Sequence, residues 1–195
     1  MSNHSTPRFN RRSFLAAGAA AGGILAAPPG LAQSTAPVRE RVHRNIMGFT
    51  ARHWRDHFSN LRNGAILCDT QSRCVHFWSA DERIYRIYPS SIPMTEEMTR
   101  RGRTRVVQKV VGPSWTPTPN MRRRNPGLPA FVPPGPDNPL GTHALYLSWQ
   151  YYRVHGTDNT NKIGRRASNG CIGLFNHHIE ELFGYARVGT QVLLI

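Results

Sequence analysis

At 195 residues, 39% of them apolar, the chain has the length of one domain with appendages and enough apolar content for a single core. Its formal net charge of +14 excludes an acidic, self-solvating chain and favours anionic partners drawn in by long-range fields. No helix-turn-helix, zinc-finger spacing or aromatic RNA-binding signature accompanies that charge, so nucleic acid is not the expected partner.

Asn10-Arg11-Arg12-Ser13-Phe14-Leu15, ahead of the Ala/Gly-rich stretch Ala16 to Ala27, resembles a twin-arginine export signal. The stretch is too short and too weakly apolar to span a bilayer. Gly30-Leu31-Ala32 supplies a small-residue cleavage site before Gln33, so residues 1–32 read as a leader. A general secretory signal with an incidental arginine pair is the other reading. Both predict a periplasmic protein, and no later apolar run is long enough for a stable membrane anchor.

Residues 33–60 read as a polar N-terminal arm or linker in which Met47 to Phe58 is a candidate short helix. His53 and His57 share an i,i+4 spacing, but no carboxylate or cysteine joins them, so no metal site is expected. From residue 61 the pattern turns to short β-rich runs: Gly64 to Cys68, Cys74 to Trp78, Arg83 to Tyr88 and Arg105 to Val111, with Thr95 to Arg101 as a short helix or turn. Cys68 and Cys74 flank the turn-like Asp69 to Arg73. A hairpin centred on Gln71 would set the two cysteines opposite each other on one face, and an oxidising compartment would keep a disulfide there; two reduced, partly buried thiols are the other reading. That pairing leaves Cys171 as the unpaired thiol.

Residues 112–140 are rich in proline, which cannot occupy a central strand, so a long loop is expected. Loops of that length inside a compact domain are usually functional. Arg122-Arg123-Arg124 is then either a solvated basic stretch or a rim over a carboxylate-bearing substrate, with Trp115, Phe131 and Leu140 as anchors to the core. Ala144 to Val154 predicts one or two strands ending at His155, and Cys171 to Leu174 a further strand. Asn176 is a plausible N-cap for a helix over His177 to Tyr185, where Ile179, Leu182 and Phe183 recur at helical spacing. Gln191 to Ile195 closes the sheet.

The chemistry concentrates in His155-Gly156-Thr157 and Ser168-Asn169-Gly170-Cys171. A thiol is the strongest side-chain nucleophile, but at an ordinary pKa near 8.5 only a few per cent is ionised at neutral pH. A neighbouring imidazole removes that obstacle by taking the proton. Two residues alone make a weak signal, because a single cysteine is more often a small buried hydrophobe. The flanking glycines strengthen it, since Gly170 and Cys171 could turn their N–H groups toward one point, as an oxyanion hole requires.

On these motifs the chain resembles the L,D-transpeptidases, the YkuD-type catalytic domain of bacterial cell-wall enzymes. Asn138-Pro139-Leu140-Gly141, Ala144 to Leu147, Ser114 to Pro119 and Val188 to Val192 carry the likeness further, over residues 61–195. The resemblance implies a mainly β fold, a YkuD-like sandwich or barrel with a long Pro-rich loop and a short C-terminal helix. It implies Cys171 as nucleophile, His155 as base and Gly170 as oxyanion donor, with Ser168, Asn169, Gly156, Tyr146 and Arg153 as substrate-binding residues. It implies no metal and no cofactor, and peptidoglycan stem peptides as partners. One departure stands out: most family members carry Arg where this chain has Gly173, which leaves Arg165, Arg166 or Arg153 to compensate, or a different donor bond such as L-alanine to diaminopimelate. The expected reaction is cross-link formation through a Cys171 thioester. Hydrolysis or carboxypeptidase action by the same pair, and a non-catalytic wall-binding module, are the alternatives.

Overall fold

The computed structural model describes residues 49–195. The export signal, its cleavage point and the start of the Met47 helix lie outside the described residues. Within them the chain is mainly β, as expected, with ten strands and two α-helices.

Eight strands form one curled sheet: β1 (Ala65–Asp69), β2 (Cys74–Trp78), β3 (Tyr85–Pro89), β5 (Gly102–Val111), β6 (His143–Leu147), β7 (Arg153–His155), β9 (Ile172–Gly173) and β10 (Gln191–Leu194). Their order is β3-β2-β1-β10-β5-β6-β7-β9. β4 (Ile92–Pro93) and β8 (Arg166–Ser168) form a small parallel pair beside it. The helices are α1 (Pro119–Arg124) and α2 (Asn176–Tyr185).

β1 is buried along its whole length because apolar layers cover both of its faces. On one side Ile66 and Cys68 join Val75, Phe77, Tyr88, Leu145, Val154, Ile172 and Val192 beneath Ile179 and Leu182 of α2. On the other, Ala65 and Leu67 join Phe58, Leu61 and Trp78. Residues of β2 alternate between the same two layers, as a period of two requires.

Several expectations need correction. The hairpin register pairs Asp69 with Cys74 and Cys68 with Val75. The turn is therefore centred between Gln71 and Ser72, half a residue from the expected point, and that small displacement puts the two cysteines on opposite faces. Cys68 enters the main core, Cys74 faces Asp69, and both thiols are free. There is no Cys68–Cys74 disulfide. Of the expected Met47–Phe58 helix, the described part holds only a 3-10 turn at Trp54–Asp56, which His53 caps by accepting a hydrogen bond from the Arg55 N–H. Thr95 to Arg101, expected as a short helix or turn, takes the second form, with bends and a turn over residues 95–98.

The Pro-rich segment does contain a helix. Thr118 caps α1 by accepting from the Met121 N–H at 3.3 Å, and Pro119 opens it, where a missing N–H costs nothing. Leu140 is buried as expected, but Phe131 is 55% exposed and anchors nothing. Asn176 is the first residue of α2 rather than its cap; Phe175 holds the cap position without a side-chain bond. The Asn176 amide oxygen instead accepts from the Thr142 and Thr157 N–H groups at 3.3 and 3.1 Å. It thereby ties the start of β6 to the segment just after β7. A methyl group on Gly156 would overlap that oxygen, which explains the glycine there.

Candidate active site

β7 and β9 are parallel neighbours, with Val154 opposite Ile172 and His155 opposite Gly173. Val154 and Ile172 point into the core. Alternation puts Arg153, His155 and Gly173 on the other face, and extending the ladder by one residue places Cys171 beside Arg153. His155 and Cys171 are therefore diagonal neighbours on one face, at adjoining strand ends. His155's direct neighbour on β9 is a glycine, and the Ser91 hydroxyl takes up the space that a side chain there would fill. A methyl group built on Gly173 would lie 3.9 Å from His155 Cε1 and would overlap Ser91 Oγ.

The imidazole is 8% exposed, and its Nδ1 hydrogen-bonds the Gly156 carbonyl. A carbonyl can only accept, so Nδ1 carries the proton and Nε2 keeps its lone pair. Burial lowers the His155 pKa to about 4, against a smaller opposing effect of the Gly156 bond, so the ring is a neutral base at pH 7. Gly156, expected among substrate-binding residues, acts through this carbonyl.

Cys171 is half-buried and donates from Sγ to the Tyr151 carbonyl at 3.2 Å. Tyr151 holds φ 66°, a left-handed conformation uncommon for a side chain of that size, and this directs its carbonyl at the thiol. Burial pushes the Cys171 pKa up; the charge of Arg153 and hydrogen bonds from its backbone and guanidinium pull the other way. The resting site thus pairs a neutral thiol with a neutral imidazole. The thiol proton rests on a backbone carbonyl rather than on His155.

The loop before Cys171 is built by β8, whose Ser168 carbonyl accepts from the Met94 N–H at 2.9 Å. Ser168 Oγ donates to the Cys171 carbonyl and accepts a long bond, 3.4 Å, from the Gly170 N–H. Gly170 holds φ 129°, and its open face lies against the Met98 carbonyl and the Tyr152 ring. Asn169 is exposed, and its amide oxygen accepts from Arg124 at 2.8 Å, so α1 of the Pro-rich loop reaches the nucleophile loop. Tyr146 and Arg153 line a groove of about 500 Å³ on this side, together with Arg105, Gln108, Trp149 and Tyr152. All eight expected site residues therefore fall in one region around β7 and β9. Ser91, Tyr151 and the Arg124 contact were not anticipated; the left-handed Tyr151 carried no sequence signal, since nothing marks that turn as glycine-like.

A second Cys–His pair lies elsewhere. Cys74 Sγ is 3.3 Å from His76 Nε2, and His76 Nδ1 is 2.8 Å from Tyr85 Oη. Asp69, Cys74 and His76 offer three metal-ligand atoms within 4.8 Å of one another. The Asp69 oxygens, however, already accept from the Gln71 and Ser72 N–H groups, the Ser72 hydroxyl and Arg52. Both Cys74 and His76 have no exposed surface, so no peptide reaches this pair. It is a hydrogen-bonded support for the hairpin.

Fold and site together define a class: a mainly β protein that presents a thiol and a carbonyl-fixed neutral imidazole side by side at adjoining strand ends. Residues 63–194 match the YkuD family, described as the L,D-transpeptidase catalytic domain. A protein named as an L,D-transpeptidase, from ORF 5 of the ATP synthase subunits region of Fuscovulum blasticum, is 49% identical over 191 residues, covering 97% of this chain and 100% of that one. ErfK/SrfK of Escherichia coli K12, also named as an L,D-transpeptidase, is 40% identical over 140 residues, covering 69% of this chain and 44% of its own. The chain belongs to the L,D-transpeptidase family. An L,D-transpeptidase structure from Mycobacterium smegmatis shares the fold at a TM-score of 0.51 and 19% identity, over 68% of this chain and 58% of that one. The chain thus spans the whole of the Fuscovulum relative but less than half of the Escherichia one.

Proposed function

We propose that this protein is a peptidoglycan L,D-transpeptidase that joins stem peptides through a Cys171 thioester. The observation that carries the reading is the placement of Cys171 and His155 on one face of β7 and β9, with His155 Nε2 left as a free lone pair. Rotation of the Cys171 side chain away from the Tyr151 carbonyl brings the thiol toward Nε2. The sulfur attacks a stem-peptide carbonyl carbon as Nε2 takes its proton. The S–C bond forms, the amide C–N bond breaks, and the proton passes from Nε2 to the departing amine. A positioned acid–base group of this kind contributes about 10²–10⁴ in rate. An amine of a neighbouring stem then attacks the thioester, the S–C bond breaks, and the amine's proton returns through His155 to the sulfur.

Because thiol and imidazole both rest neutral, proton transfer accompanies attack rather than preceding it. The Cys171 N–H is the oxyanion donor, joined by Gly170 once its long bond to Ser168 is released. Asn169 and Tyr146 border the bound stem. A mature protein acting on the wall is exported, and the basic leader-like segment suits that role; among the described residues no helix is long and apolar enough to cross a membrane. The test is incubation of the mature protein with two defined stem peptides, followed by mass spectrometry. Cross-linked dimers that vanish with Cys171→Ala are expected. Shortened monomers alone would assign the hydrolase reaction instead, and binding without any product would leave a wall-binding module.

A further inference from the structure

His155, Gly173 and Ser91 stand in one row across three neighbouring segments of the chain. His155 lies opposite Gly173 between the parallel strands β7 and β9, and Ser91 lies opposite Gly173 on its other side in an antiparallel bridge. Residues in such a row present their side chains to one face of the sheet. The middle member has no side chain, so the two outer ones share the space above it. Ser91 Oγ occupies the position that a Gly173 methyl group would take, and His155 Cε1 lies 3.9 Å from the same point. The frame is fixed on both sides. The Ser91 N–H donates to the Gly173 carbonyl at 2.8 Å, the Gly173 N–H returns a bond to the Ser91 carbonyl at 3.1 Å, and the Leu174 N–H donates to the His155 carbonyl at 2.8 Å. Ser91 is 3% exposed and His155 8%, so little water reaches this edge of the ring.

The ring has need of a neighbour there. When Nε2 takes the Cys171 proton, the imidazole becomes a buried cation, the form that burial disfavours. Arg153 and Lys162 oppose that charge as well; Asp158 favours it least of the groups acting on the ring and is itself paired with Lys162 at 3.7 Å. The Gly156 carbonyl at Nδ1 is one compensating acceptor. Nε2 has to pass its proton on to the departing amine, which leaves the Cε1 edge, where an imidazolium carbon also carries positive charge, as the place for a second acceptor.

We propose that Ser91 is a positioning residue whose hydroxyl oxygen lies against the Cε1 edge of His155 and stabilises the imidazolium formed as Cys171 attacks. The inference rests on the Cys171–His155 pairing of the reading above. A hydroxyl suits the place because it accepts without the full charge of a carboxylate, which would hold the proton on the ring. Gly173 is not among the glycines with positive φ, so no backbone demand accounts for it. It is there for space: any side chain at that position pushes the hydroxyl off the ring.

Alkylation of Cys171 by iodoacetamide, located by peptide mapping, reads the pair without any stem peptide. Rates are taken from pH 6 to pH 10.5 in wild type, Ser91→Ala, Gly173→Ala and their double variant, and for Ser91→Ala in a His155→Ala background. At pH 7 Ser91→Ala is expected to be slower by about 3- to 10-fold, the worth of one hydrogen bond, and acylation by a donor stem peptide should fall by a similar factor. The gap should narrow as pH rises and the thiol ionises without help from the ring. Gly173→Ala should slow alkylation likewise and add nothing to Ser91→Ala. In the His155→Ala background, loss of the hydroxyl should change nothing. An unchanged rate at pH 7, a loss of equal size at every pH, additive losses from the two positions, or a loss that persists without His155 would make Ser91 merely structural and overturn the proposal. A wild type that shows this alkylation pattern but is acylated by no stem peptide would fail the transpeptidase reading and leave the role of Ser91 standing.

Discussion

Two buried histidines make the stability of this protein fall as pH drops below 6.5. His76 and His155 are each held neutral by burial, with pKa values lowered from 6.5 to about 4. The unfolded chain therefore binds more protons than the folded one throughout that window. Their stabilising effect is complete above pH 6.5 and is lost as pH falls toward 4. For a shift of that size, linkage gives a loss of roughly 2 kcal/mol per histidine between pH 7 and pH 5. Burial and Arg52 lower the His57 pKa as well, in the same direction. Carboxylates held down by ion pairs and hydrogen bonds, such as Asp69, lose their contribution only at lower pH, so the histidines dominate between 7 and 5. Urea denaturation of residues 49–195 at half-unit pH steps measures the effect. A fall of roughly 4 kcal/mol for wild type is expected, and His76→Gln should halve it while leaving a pH-independent destabilisation of its own. A flat profile over this range would refute the reasoning, because it would mean that neither ring is kept neutral by its surroundings.

Asn176→Ala removes the acceptor that serves the Thr142 and Thr157 N–H groups; a loss of about 2 kcal/mol or more in stability, together with slower Cys171 acylation, is expected by denaturation and mass spectrometry. Arg124→Ala breaks a contact between exposed groups, so its stability should change by less than about 0.5 kcal/mol. Its Cys171 should nevertheless be alkylated faster by iodoacetamide, and a lowered Tm with an unchanged alkylation rate would contradict the tie between α1 and the nucleophile loop. The chain has three cysteines and, with no disulfide among them, should titrate as three thiols when unfolded without reductant, with no shift of Tm on adding one.

Much of this organisation is written in local pattern. The β-rich runs gave β1, β2, β3, β5 and β10 to within a few residues, because alternation and turn residues are short-range signals. The His155–Cys171 region was legible for a different reason: its motif is short and specific. What sequence could not convey depends on register and long-range contact. The hairpin sits half a residue from the expected centre, enough to separate Cys68 from Cys74. Asn176 has the side chain of a good N-cap, yet two N–H groups from other segments compete for its oxygen and win. Helix α1 was hidden by prolines that suggest only irregular chain, although Pro119 occupies the one helical position that suits it. The Tyr151 turn, which parks the thiol on a carbonyl, has no sequence signature.

The account stands on Cys171, and not the buried Cys74, being the atom that carries the acyl group. A donor stem peptide mixed with mature protein in the absence of any acceptor amine, quenched in acid, digested and mapped by mass spectrometry, asks this directly. The peptide containing Cys171 is expected to carry the donor acyl mass, with the peptides containing Cys68 and Cys74 unmodified. An acyl group on either of those, or undiminished product formation by Cys171→Ala, would contradict it.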